Sequence, residues 1–285
     1  MTADWAIRTM RRDELAFAAT CTQGEDWASE DLTTLQGFHI VDPAGCLVAE
    51  VSGTLAGICI ATHYGASGFI GELIVRPEQR GLGLGAALLN EGVRRLQQRG
   101  ARTVYLDGVL QAVALYERNG FRKLTRSWRF SGQLTGQAHP QGIPMQSHHL
   151  PAVFALDRQA FGADRRFFLG RRWSLFPELG RVLMQDSQVS GYILGRRGPG
   201  WLSAGPWVVG QDVAQPERLL LSLSLESGET PITVGILDSN RSARALLESL
   251  GFTPRPTSPW RMALGPNEDL GASHLCYAVG SAAKG

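Results

Sequence analysis

Cysteine is scarce: four residues, Cys21, Cys46, Cys59 and Cys276, are scattered over 285 positions. None forms a Cys-x-x-Cys and none pairs with histidine at zinc-binding spacing, so neither a disulfide framework nor a zinc site is indicated. They read as small core residues of a reduced, cytoplasmic protein. Charge of one sign is also missing. A net charge of +2 gives no electrostatic footprint for nucleic acid or for an anionic membrane. No apolar run approaches the ~18 residues of a membrane span. The opening "MTADWAIRTMRRDEL" lacks the apolar core of a secretory signal. His148 and His149 have no third ligand at metal spacing, so no metal is assigned. His39 and His63 stand alone and read as structural residues rather than bases.

What is present is a core-forming composition, 44% hydrophobic and 19% charged, on a chain long enough for two domains. Strand and helix signals alternate. Residues 47–51 and 56–64 read as strands joined by a tight Ser52-Gly53 turn. "GFIGELIVRP" is a third strand, ended by Pro77. From Gly85 a helix follows, with Leu88, Leu89, Val93 and Leu96 at helical spacing and Gly100 as its stop. "TVYLDG" is a further strand, and "LQAVALYERNGF" a short helix with Gly120 just past its end. The stretch "SGQLTGQAHPQGIPMQS" is rich in Gly, Gln, Pro and Ser and reads as a linker.

A second series of strand and helix signals follows that linker, and part of it repeats the first. "LDGVLQAVALYERNGF" (106–121) aligns without gaps on "LDSNRSARALLESLGF" (237–252). Leu106, Asp107, Ala114, Leu115, Glu117, Gly120 and Phe121 fall on identical residues. Two copies of one α/β fold are expected.

"VRPEQRGLGLGAALL" crowds glycines directly in front of a helix. One reading is a flexible connection with no ligand. The other is an anion nest. Glycines let the N–H groups of Leu82, Gly83, Leu84, Gly85 and Ala86 converge on one point. The helix N-terminus adds partial positive charge there, and Arg80 adds charge-assisted hydrogen bonds. A Walker A loop is out, because no Gly-Lys-Ser/Thr follows. Gly81, Gly83 and Ala86 formally meet the dinucleotide pattern G-x-G-x-x-A, with Asp107 at a distance suited to a ribose. That pattern wants a turn straight off the strand, whereas "RPEQR" intervenes here.

"ELIVRPEQRGLGLGAALL" followed by "ALYERNGF" resembles the GCN5-related N-acetyltransferases. Their Q/R-x-x-G-x-G/A signature at a helix start is matched by Arg80, Gly81, Leu82, Gly83, Leu84 and Gly85. Their helical tyrosine before a Gly-Phe is matched by Tyr116, Gly120 and Phe121. The likeness is strongest over about residues 47–130. It implies an α/β fold with a mixed sheet (α+β in character) in each of two tandem acyl-CoA N-acyltransferase-like domains. Residues 1–133 would be the catalytic, acetyl-CoA-binding domain, 134–147 a linker, and 148–285 a degenerate copy that shapes the acceptor site. The resemblance further implies pyrophosphate on the loop amides, Ala86 included, and pantetheine hydrogen-bonded along Leu73, Ile74 and Val75.

Acyl transfer to an amine needs a base, an oxyanion donor and a proton for the departing thiolate. The resemblance offers Glu72, near the start of the strand, as base through a water chain, against a plain reading as a solvent-facing glutamate. It offers a backbone N–H near Ile74 as oxyanion donor. Tyr116 would be the general acid, against a core tyrosine on an apolar helix face. Relatives often carry an asparagine seven residues before the tyrosine; here Val109 stands there, and the second copy has Asn240 instead. That copy also has Leu247 for Tyr116, and "WVVGQDVAQPERLL", with Asp212 and Pro216, for the glycine loop. "SHLCYAVGSAAKG" would finish its sheet and end in a loose tail.

The expected partner is a small-molecule or peptide amine acceptor, with no nucleic acid, no membrane and an open oligomeric state. An acyl-CoA sensor without turnover and an NAD(P)-linked oxidoreductase are the competing classes. The basic, aromatic run "FGADRRFFLGRRW" (161–173) is either an acceptor entrance or a helix with a solvated arginine face.

Overall fold

A computed structural model describes residues 4–27, 30–134, 142–266 and 269–285. Its elements in chain order begin with β1 (Trp5–Thr9), α1 (Leu15–Gly24), α2 (Leu32–Val41), β2 (Cys46–Val51), β3 (Thr54–Tyr64), β4 (Ser67–Val75), α3 (Leu84–Gln98), β5 (Thr103–Gly108) and α4 (Val113–Arg118). There follow β6 (Arg122–Gly132), β7 (Ile143–Pro144), α5 (Leu150–Phe161), α6 (Arg166–Leu175), β8 (Arg181–Gln185), β9 (Gln188–Gly198) and β10 (Trp201–Val209). The last are α7 (Glu217–Ser224), β11 (Ile232–Leu237), α8 (Arg241–Ser249), β12 (Thr253–Pro254), β13 (Trp260–Leu264) and β14 (Cys276–Ala278). The described residues fall into two compact units. The first takes in the chain up to Lys123, residues 262–266 and Ala282–Lys284; the second takes in Leu124–Arg261, residues 269–281 and Gly285.

In the first unit the strands run in the order β1-β2-β3-β4-β5. Neighbours are antiparallel through β4, and β4 is parallel to β5. The β2–β3 connection is the expected tight turn: Ser52 and Gly53 have φ of 47° and 78°, which matches the twist of the flanking strands. Helix α3 buries Leu84, Leu88, Leu89, Val93 and Leu96, each worth about 1.5–3 kcal/mol when fully removed from water. It can lie this close because Gly68 and Gly92 lack side chains. A Cβ on Gly68 would meet Leu96 at 2.7 Å, and one on Gly92 would meet Ile70 at 2.9 Å.

Two irregularities position the site. Pairing between β4 and β5 ends at Ile70↔Leu106, so the two parallel strands part beyond it. In β4 itself the register against β3 shifts between Ile74↔Ile58 and Gly71↔Ile60. That bulge places two β4 residues, Glu72 and Leu73, opposite the single residue Cys59, and Glu72 adopts a left-handed φ of 49°.

In the second unit the order is β6-β11-β10-β9-β8-β7, with β10 parallel to β11. Its core gathers Trp207, Phe130, Leu219, Leu223, Ile236 and Leu247. The repeat read from the sequence is a repeat of structure. Strand β5 and helix α4 correspond to β11 and α8. Both helices stop in the same way, with Gly120 and Gly251 at φ of 84° and 81°. The Phe121 N–H bonds Tyr116 O at 3.0 Å, and the Phe252 N–H bonds Leu247 O at 2.9 Å.

The strands after these stops trade partners. β6, which follows the first Gly-Phe, pairs with β11. After the second, β12 pairs with β6 and β13 then lies beside β5. The contact division therefore falls inside β6, between Lys123 and Leu124. The stretch read as a linker is in part sheet: β6 runs to Gly132, and Ile143–Pro144 pairs with β8, while residues 135–141 lie outside the described residues. Nor is there a loose tail: β14 pairs with β10, and Lys284 is buried.

The run 161–173 is neither single helix nor open arginine face. Gly162 ends α5 with φ of 88°. Arg165 is buried in a bidentate pair with Asp157, at 2.9 and 2.8 Å, where the Tyr192 hydroxyl also donates to Asp157. Arg172 turns inward to donate to Gly205 O.

Candidate active site

The glycine segment leaves β4 through Arg76 and a short turn at Pro77–Gln79, then reaches α3. Gly81 and Gly83 have φ of 84° and 83°, and a Cβ on either would meet open space. They are glycines because of backbone conformation, not crowding. Gly83 is the N-cap of α3, and no side chain caps it. By contrast, the Asp31 side chain caps α2 through the Thr34 N–H at 2.8 Å. The leading amides of α3 thus form an uncapped, anion-attracting end. Arg80 is held beside this end: its Nε donates to Val75 O at 2.9 Å, and its guanidinium pairs with Glu25.

Three pieces of the motif meet at Gly85. A Cβ built there would lie 3.5 Å from Leu115 and 3.8 Å from Val75. The start of α3, the end of β4 and the helix carrying Tyr116 are therefore in contact.

Glu72 is not a solvent-facing residue at a strand start. It lies within β4, at the bulge, 4% exposed. Tyr116 is buried on α4, its ring edge-on to Phe121 with centroids 6.2 Å apart. Gly108 makes room for it, since a Cβ there would come within 2.9 Å of the ring. Burial first, and then the Cys59 thiol, push the Tyr116 hydroxyl above its usual range, so it stays protonated. The same thiol is raised by its own burial, by Cys46 and by Glu72. Glu72 and Tyr116 thus both lie within electrostatic reach of Cys59, which sits opposite the bulge.

Sequence reading missed the Glu25 partner of Arg80 and the place of Cys59 opposite the Glu72 bulge. No spacing rule signals either, because the first joins residues far apart in the chain and the second depends on the register of two strands. Of the lone histidines, His63 is structural: its Nε2 is 3.0 Å from Arg99 O, and desolvation lowers its pKa. Among the described residues no group of three His, Cys, Asp or Glu is placed to hold a metal ion. None of the described helices is long and apolar enough to cross a membrane.

The second unit closes the corresponding place. Pairing of β10 with β11 ends at Ala204↔Val234. Beyond it β14 pairs with β10 through Trp207↔Ala278, and Val279 N–H bonds Gly235 O of β11 at 2.8 Å. Helix α7 starts after Pro216 with Glu217 in its first turn, and Leu247 occupies the position of Tyr116. Asn240 is committed to structure. Its Oδ1 accepts the Ala243 N–H at 3.0 Å, and its Nδ2 donates to His274 O and Cys276 O at 2.9 and 3.0 Å. Asn240→Ala should therefore destabilise the protein by about 2–4 kcal/mol, combining a lost cap with two orphaned carbonyls. Urea unfolding monitored by fluorescence measures this, and a change under 0.5 kcal/mol would contradict it.

A mixed sheet parting beside an uncapped, glycine-led helix, with a tyrosine helix against it, is the frame of a coenzyme A-dependent acyltransferase fold. The sequence profile of the acetyltransferase (GNAT) family matches residues 8–121, and that of an acetyltransferase (GNAT) domain matches residues 153–278. The chain belongs to the GNAT acetyltransferase family, with two family domains in tandem.

Among curated proteins it is similar to the mycothiol acetyltransferase of Thermobispora bispora, 42% identical over 120 residues, which is 39% of this chain and 40% of that protein. It is also similar to that of Cellulomonas flavigena, 37% identical over 163 residues, 52% of this chain and 44% of that one. The matched region spans less than half the length of each. Among solved structures, an acetyltransferase-like protein of Pyrococcus horikoshii superposes with a TM-score of 0.81 at 21% identity, covering 99% of this chain and 96% of that one. A tandem GNAT protein from the clavulanic acid biosynthesis pathway superposes with a TM-score of 0.62 at 14% identity, covering 93% and 100%. These likenesses concern the fold.

Proposed function

We propose that the first unit transfers an acetyl group from acetyl-CoA to a primary amine of a small-molecule or peptide acceptor. The observation that carries this reading is the meeting of α3, β4 and α4 at Gly85, which gathers an anion-attracting helix end, a strand segment past its last β5 pair and a protonated phenol. The residues present fit coenzyme A. The uncapped amides of Leu82, Gly83, Leu84, Gly85 and Ala86 suit its pyrophosphate, with Gly81 shaping the turn and Arg80 at its flank. The β4 segment Leu73, Ile74 and Val75, past the last β5 pair, offers main-chain groups for pantetheine. Bound there, the donor supplies an activated thioester.

This chain's side chains manage the protons. The acceptor nitrogen bonds the acyl carbon as the carbon–sulfur bond breaks. Tyr116 gives its hydroxyl proton to the departing sulfur, and burial keeps that proton in place at neutral pH. Glu72, directly or through water, takes the proton the nitrogen sheds. A backbone N–H near Ile74 steadies the carbonyl oxygen as charge develops. For the acceptor, the curated relatives' name makes mycothiol-type amines the first compounds to screen.

Thermal unfolding with acetyl-CoA, NAD and NADP tests the donor. At 100 times its dissociation constant a ligand stabilises by about 2.7 kcal/mol, so acetyl-CoA alone should raise the midpoint. A rise with NAD or NADP instead would support the dinucleotide reading of the loop. Binding without turnover across an amine panel would make the protein an acyl-CoA sensor.

A further inference from the structure

Ala282–Lys284 belongs to the first unit and lies directly on β4. A Cβ on Gly71 would stand 2.4 Å from the Ala283 carbonyl oxygen and 2.7 Å from its Cα. Two backbones touch there with no side chain between them. The Tyr64 hydroxyl on β3 donates to Lys284 O at 3.0 Å. The Lys284 ammonium sits 4.5 Å from the centre of the Phe38 ring. Ala283 is 2% exposed, so this is packed structure.

The second unit makes the same contact at its own strand irregularity, where a Cβ on Gly205 would lie 2.4 Å from Val279 O. There the adjoining β14 continues along β10 and fills the parting of the strands. In the first unit, among the described residues, β4 has only β3 and β5 as sheet neighbours. The segment stands at Gly71, one residue before Glu72, and leaves Leu73 to Val75 without a third strand.

We infer that Ala282–Lys284 is the end wall of the acyl pocket and restricts the donor to acetyl. This rests on pantetheine lying along Leu73 to Val75. A chain running from Val75 toward Leu73 brings its thioester to Glu72, and the acyl group beyond is aimed at Gly71. Acetyl ends one carbon past the carbonyl. Butyryl adds two more C–C bonds of about 1.5 Å each, which run into the Ala283 backbone. That backbone is buried and held from both sides, and close-packed interiors resist such overfilling. Gly71 keeps the wall in place, because any side chain there would displace it.

The test measures dissociation constants of CoA, acetyl-CoA and butyryl-CoA by calorimetry on the full chain. The wild type should bind CoA and acetyl-CoA within about threefold of each other, and butyryl-CoA about tenfold more weakly or worse. Tyr64→Phe keeps the ring and removes only the hydroxyl that holds Lys284 O. Ala283→Gly loosens the same stretch without adding bulk. Both should narrow the acetyl-to-butyryl ratio to about threefold. Equal binding of acetyl- and butyryl-CoA by the wild type would overturn the inference. So would a tenfold ratio that survives in both variants with native melting curves, which would place the wall elsewhere. Failure of free CoA to bind at all would sink the proposed donor site itself, a result distinct from the other two because free CoA carries no acyl group.

Discussion

Tyr116→Phe is expected to slow acetyl transfer by about a hundredfold or more while acetyl-CoA affinity stays within about twofold. The substitution removes one oxygen from a ring whose shape is otherwise fully used. That ring packs on Gly108 and stands edge-on to Phe121, so phenylalanine fills the same space and the fold survives. The lost oxygen carries the proton that burial holds on the phenol. Without it the thiolate must leave unprotonated or draw on water, and general acids of this kind are worth about two to four orders of magnitude. Steady-state rates with any acceptor that turns over, paired with calorimetric acetyl-CoA affinity, read the two effects apart. A rate within about threefold of wild type would return Tyr116 to the core.

Gly83→Glu should lower acetyl-CoA affinity more than a hundredfold and leave the unliganded protein folded. Gly83 has φ of 83°, so any L-residue there costs about 1–2 kcal/mol. Its side chain would point into open space, and a carboxylate beside a helix N-terminus interacts favourably with the helix. The fold therefore tolerates the change. The proposed donor site would not, because a built-in carboxylate would take the loop amides and repel a pyrophosphate. Gly83→Ala separates the two effects: it carries the same backbone strain without the charge, and should weaken binding far less. If Gly83→Glu bound acetyl-CoA as the wild type does, the loop would be only a connection.

The first unit was legible wherever a feature is local. A two-residue turn at Ser52-Gly53, alternating strands and the apolar stripe of α3 each follow from a short window of residues. The repeat was legible because the Gly-Phe stop needs the same left-handed glycine and the same buried ring in both copies. The bulge at Glu72 was not. A bulge is a mismatch between two strands, and nothing in "GELIV" alone says that Cys59 will face two residues. For the same reason the solvent-facing reading of Glu72, one of the two the sequence offers, fails: the residue is buried. The 161–173 run misled because arginines usually mark solvent, whereas Arg165 is drawn inside by Asp157 and Tyr192, neither adjacent to it in sequence. Asn240 carried the residue type of a cofactor contact, and three hydrogen bonds spend it on a helix cap and a loop instead.

The place of β13 bears on where this chain can be cut. The family match to the first repeat ends at residue 121, yet the first unit also takes in residues 262–266 and Ala282–Lys284. A gene fragment stopping at the first Gly-Phe would leave β5 without β13 beside it, and so with a bare sheet edge of the kind on which chains pair and aggregate. It would also lose the segment packed on β4 at Gly71. The compact unit and the repeat are different pieces of this sequence: one is assembled from three stretches, the other is read from one.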